Sequence, residues 1–170
     1  MPKGLKETSS LITISFGVTE SAPNTFTEAQ IDLQLNPLDQ EVFVVTAIDL
    51  NLTPPDAIAG VDTASLGSLS TTSRTSIGNI SISNTMAEAR DDIRAAGFVD
   101  GGVGFHRNSG ETPHAQLDYI GIIATNDFFL QVEGLANGVA KTLLSRVWGY
   151  RAKADAATYA ALTQSELLSA

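Results

Sequence analysis

The run from Glu41 to Leu52, EVFVVTAIDLNL, constrains the fold more than any other part of this chain. Side chains alternate across a strand with a period of two, so Val42, Val44, Ile48, Leu50 and Leu52 are predicted on one face. Phe43 and Val45 lie opposite and give way to Asp49 and Asn51. A strand that is apolar on both faces at one end and wetted on one face at the other belongs in a sandwich or barrel rather than beside helices.

Flanking segments repeat the signal. Residues 11–18 alternate cleanly, with Ile12, Ile14, Phe16 and Val18 against Thr13, Ser15 and Gly17. Ala29, Ile31, Leu33 and Leu35 alternate with Gln30, Asp32 and Gln34 until Asn36-Pro37 breaks the pattern, and Pro54-Pro55 stops the long strand. The Ser/Thr/Gly-rich stretch 63–84 reads as one or two irregular strands. Thr85 and Glu88 have capping-box spacing and predict a short internal helix ending near Gly97, its first turns favoured by Asp91 and Asp92. Residues 100–110 read as loop. Residues 117–125 and 127–133 read as strands meeting in a corner at Asn126 and Asp127. Asn137-Gly138 predicts a type I′ hairpin whose second arm runs to about Lys153, and Asp155 is placed to cap a terminal helix over 156–168.

The chain has 170 residues, which suits one domain, and its 43% hydrophobic against 17% charged content fits a globular protein. No apolar stretch approaches the roughly 20 residues that span a bilayer, so no membrane span is expected. The opening residues, MPKGLKETSS, lack the continuous apolar core of a signal peptide and read as a flexible N-terminal arm over 1–10. Without cysteine there is no disulfide framework, thiolate metal site or cysteine nucleophile. The net charge of −9, with only Lys3 and Lys6 as bases before Arg74, argues against direct nucleic-acid binding, which rests on several Lys and Arg contacts to phosphate.

No catalytic constellation emerges. His106, His114 and Asp118 are the candidate metal set, but their spacing matches no compact ligand motif. No Gly-x-Ser-x-Gly elbow marks an activated serine. The glycine run 101–104 follows a predicted helix and lacks the lysine of a phosphate loop. Asp91 and Asp92 are adjacent and on a helix would point about 100° apart, away from a shared substrate. Asn79-Ile80-Ser81 fits a glycosylation acceptor without a secretory signal to give it meaning. The expectation is no enzyme, no cofactor and no metal. The positive lead is aromatic: Trp148, Tyr150 and Tyr159 lie near one another with Arg146 and Arg151 interleaved, the residue types enriched where protein interfaces draw their energy. These five form the candidate subunit interface.

As a whole, the order of elements resembles the single jelly-roll capsid proteins of icosahedral viruses: an arm, about eight antiparallel strands in two sheets, a helix in one long connection, and a C-terminal tail. The resemblance covers residues 11–168 and rests on the opening strand 11–18, the strand 41–52 and the closing hairpin 128–153. It implies an all-β jelly-roll sandwich over 11–154, with one short internal helix, followed by a C-terminal helix and tail over 155–170. It further implies a subunit that self-assembles in many copies into a capsid shell, in the host cytoplasm during assembly and then in the virion, alongside other virion proteins. Many such proteins carry an arginine-rich arm; residues 1–10 hold two lysines and one glutamate, so here the genome is expected to be handled by other means. The alternative from the same sandwich pattern is a carbohydrate-binding or adhesive module using the 100–113 loop.

Overall fold

The computed structural model describes residues 2–97, 105–110 and 118–168, the middle stretch by its backbone alone. In chain order the elements are β1 (Leu5–Glu7), β2 (Ile12–Thr19), β3 (Thr27–Asp32), β4 (Glu41–Leu52), β5 (Thr63–Ser70), β6 (Thr85–Arg94), β7 (Phe105–Gly110), β8 (Gly121–Ile123), β9 (Asp127–Leu135), β10 (Thr142–Ala154) and α1 (Ala156–Leu168). They build two five-stranded antiparallel sheets. In sheet A, β10 is central to β4 on one side and to both β1 and β2 on the other, and β8 closes the far edge of β4. Sheet B runs β3-β9-β5-β6-β7. The sheets face each other across a core that includes Phe43, Val45, Ile48, Leu69, Phe128, Leu130, Leu143 and Val147. Phe16 and Phe128 meet edge to face with centroids 5.1 Å apart.

The strand 41–52 forms with the expected bounds, and its burial grades from both faces to one. Its facing differs from strict alternation. Trp148 pairs with Ala47 but Gly149 pairs with Val45, leaving Thr46 as an extra residue in a β-bulge, its hydroxyl donating to the Trp148 carbonyl at 3.1 Å. An extra residue reverses parity along the strand. Ile48, Leu50 and Leu52 therefore point into the sandwich together with Phe43 and Val45, whereas Val42 and Val44 point outward. There they form a second cluster with Ala124, Ala152 and Ala154, packed under Tyr159 and Leu162 of α1. The alanines let the helix approach the sheet closely.

Asp155 caps this helix as expected, accepting from the Thr158 amide at 2.7 Å. One turn beyond Leu162, Glu166 is buried and accepts the amides of Ala124 (3.0 Å) and Thr125 (2.9 Å). Burial raises its pKa above 4.5, outweighing these two donors. A carboxyl raised in the folded state gives stability that is present below its unfolded pKa and lost as pH rises through the folded value. Amide hydrogen exchange in α1, corrected for intrinsic rates, should therefore show stronger protection near pH 4.5 than at pH 7, and Glu166→Gln should flatten that difference. Equal protection at both pH values in the parent chain would refute it.

Several expectations are corrected. The predicted internal helix is strand β6: Ala87 and Ala89 face the core while Glu88 and Arg90 alternate outward, and packing against β5 overrides helix propensity. The Arg90–Asp92 pair, bidentate at 2.7 and 2.8 Å, depends on that, since residues two apart share a face only in a strand. Asn137-Gly138 is not a hairpin turn. β9 lies in sheet B and β10 in sheet A, so the segment carries the chain between layers, and the left-handed residue is Ala136 (φ 55°). Residues 105–110, read as loop, form β7 beside β6. The corner at Asn126 does form, with its backbone and side-chain oxygens accepting from Leu33 (2.8 Å) and Leu35 (2.6 Å). Within the segment read as a flexible arm, residues 5–7 are β1, paired with the end of β10.

Candidate interaction surface

α1 packs on the outer face of sheet A over Val42, Val44, Ala152 and Ala154, and among the described residues nothing covers the other half, where Leu144 and Arg146 are exposed. On β10, Leu143, Ser145 and Val147 turn inward and Leu144, Arg146 and Trp148 outward, as their alternating burial shows. Their cross-strand neighbours are Gly17, Ser15 and Thr13 on β2 and Asn51, Asp49 and Ala47 on β4. Trp148 is half-buried, and the Arg146 guanidinium carbon sits 5.8 Å from its ring centroid, a cation–π contact. Leu144 is 55% exposed. Small neighbours make this arrangement possible: a Cβ on Gly17 would meet the Leu144 side chain at 2.9 Å. The patch sets the charged row Ser15–Arg146–Asp49 between Leu144 and Trp148, and a shallow open pocket lined by Ser15, Asp49, Asn51, Leu144 and Arg146 lies on it.

Of the five candidate interface residues, the structure brings Arg146 and Trp148 together on this bare face. Tyr150 and Tyr159 lie together at its border, against the cluster under α1. Burial, with the carboxylates Glu7 and Asp118 nearby, raises the Tyr150 pKa, so its phenol stays protonated at neutral pH. Arg151 belongs elsewhere. Its guanidinium reaches the end of the sandwich, donating to the Leu33 carbonyl (2.7 Å), the Gln34 carbonyl (3.2 Å) and Glu41 (3.0 Å), which ties the segment after β3 to β4 and β10.

Sequence reading missed a buried polar clamp at the opposite end. Glu20 is 4% exposed and accepts the amides of Gly134 (2.6 Å), Lys141 (2.6 Å) and Thr25 (3.0 Å). Lys141, 1% exposed, donates to Asp56 (2.6 Å) and to the Pro54 carbonyl (3.0 Å). The hydrogen bond from Lys141 holds the Asp56 carboxyl below its usual range, aided by the amides of Gly138 and Val139. Asn137 completes the clamp by bonding to Asp56, Ala64 and Asn24. Charged groups so placed hold together the strands' crossings between layers. The one available signal was Asn137-Gly138, which pointed to a turn of the wrong kind.

Among the described residues no group of His, Asp and Glu could hold a metal ion, and no helix is long and apolar enough to cross a membrane. Asp118 is exposed, His106 falls on β7, and His114 with residues 100–104 lies outside the described residues, as does most of the 100–113 segment considered for carbohydrate binding. No protein-family model matches this chain, and no curated protein matches it in sequence.

Proposed function

We propose that this chain is a jelly-roll subunit of a self-assembling shell, a viral or virus-like capsid. The observation that carries this reading is the pairing order. Leaving aside β1 and β7, eight strands remain, and they pair first with last (β2 with β10), second with seventh (β3 with β9), third with sixth (β4 with β8) and fourth with fifth (β5 with β6). That is the pattern of one long hairpin rolled over itself into two sheets, as in jelly rolls of capsids, lectins and cupins. A metal-using cupin needs ligands on its strands. A shell subunit needs surfaces that meet copies of itself, and the outward-facing Leu144, Arg146 and Trp148 of sheet A support such a role.

Electron microscopy of the purified protein is expected to show closed particles, and a strictly monomeric species across salt and pH would overturn the reading. Within it, Trp148→Ala removes the largest side chain of the bare face. Interface aromatics of this kind carry about 2 kcal/mol or more, roughly a thirtyfold weakening per contact. Trp148 is only half-buried in the single subunit, so the variant should stay folded while its particles dissociate at milder salt or urea. Unchanged particle stability would exclude this face as a subunit contact.

A further inference from the structure

We infer that β2 is a pairing edge: in solution its free side adds, antiparallel and about a two-fold axis, to β2 of a second copy, joining two A sheets into one. This goes beyond the shell reading, because it needs only two copies. Among the described strands β2 pairs with β10 alone. Its inward residues Ile12, Ile14 and Phe16 pack on the main core yet remain only half-buried, and Leu11 just before it is 61% exposed. Free strand edges are usually guarded by charge, proline, a bulge or shortness. β3 carries Glu28 and Asp32 and β8 has three residues, but β2 has eight residues and none of these guards.

Charge selects the occupant. A two-fold contact lays a surface against itself, so any net charge on it meets its own sign. On a chain of net charge −9 most surfaces repel their own copies, whereas residues 8–19 contain no charged side chain. Parity selects the register. Opposed residues must share a face, so the axis passes through a residue position. Centred on Ser15, the pair sets Ile14 against Phe16, Ile12 against Val18, Thr13 against Gly17 and Leu11 against Thr19. Large side chains then cover one another on the inner side, and on the outer side the small residues Thr13, Ser15 and Gly17 meet around the axis. Centred on Phe16, two phenyl rings already engaged with Phe128 would be forced onto one point.

The chain has no cysteine, which makes the test clean. Ser15 lies exposed on the outer face, so Ser15→Cys leaves the core intact. Opposed residues in an antiparallel pair lie about 4.5 to 5.5 Å apart at Cα, within disulfide reach. Under a mild oxidant Ser15→Cys is expected to form a disulfide-linked dimer at least about tenfold faster than Thr13→Cys, whose two positions would start roughly 13 Å apart along the strands. Ser15→Lys, which sets two ammonium groups face to face, should shift sedimentation of the otherwise unmodified chain toward monomer by about tenfold in dissociation constant. Cross-linking of Ser15→Cys no faster than Thr13→Cys, or self-association indifferent to Ser15→Lys, would overturn the edge pair. Particles without a Ser15 cross-link would leave the shell reading standing and remove this one; cross-linked dimers that never form particles would do the reverse.

Discussion

Glu20→Ala is expected to cost roughly 3 to 5 kcal/mol of folding stability, because it leaves the buried amides of Gly134 and Lys141, and the partly buried amide of Thr25, without their acceptor. Each buried donor left unmet costs about 1 to 3 kcal/mol, and the third, on Thr25, is only partly buried, which holds the sum to the lower part of the range. The loss is topological as well as local. Gly134 belongs to β9 in sheet B, Lys141 leads into β10 in sheet A, and Glu20 follows β2, so one carboxylate fixes three chain segments where the layers meet. Glu20→Gln keeps the length and one acceptor oxygen but turns an NH2 group toward an amide donor, and it should fall between parent and alanine variant. Urea denaturation followed by tryptophan fluorescence gives the comparison. A loss below about 1 kcal/mol for Glu20→Ala would mean that the three amides find other partners and that the clamp is dispensable.

What the sequence made legible follows from which physical signal each element carries. The strand 41–52 and the strand beginning at Ile12 were readable because burial writes period two directly into them. The C-terminal helix was readable from Asp155 and a run of good helix formers. β6 was not, because Ala, Glu, Met and Arg are strong helix formers, and the thin alternation of Ala87 and Ala89 against Glu88 and Arg90 gains meaning only beside β5 and β7. Asn137-Gly138 misled because its residues suit any tight turn, whereas the partner of the next strand is set by the distant β2 and β4. For the surface, the nearness in sequence of Arg146, Trp148 and Tyr150 was the readable signal. It could not show that α1 stops short of covering Arg146 and Trp148, nor that Arg151 turns to the end of the sandwich.

Gly149→Ala is the second substitution expected to act strongly, and it tests why the long strand changes face. A Cβ built on Gly149 would collide with the Val44 carbonyl oxygen and lie 2.6 Å from the Phe43 ring, closer than real Cβ atoms come. The ring of Phe43, 1% exposed, fills the space that a side chain would occupy. This glycine adjoins the step in register where Thr46 is extra, so the bulge and the glycine act together. The bulge turns Val42 and Val44 outward to receive α1, and the glycine lets Phe43 fold beneath β10 into the core. Overpacking of this kind typically costs about 1 to 3 kcal/mol, and here the upper end is expected because one of the two obstacles is backbone. Phe43→Leu should recover part of the loss in the double variant, since it withdraws the ring but not the carbonyl, whereas Phe43→Leu alone should destabilise. Additive losses in that double-mutant cycle would show that the ring and the glycine do not share one space, and the account of the bulge would then need another cause.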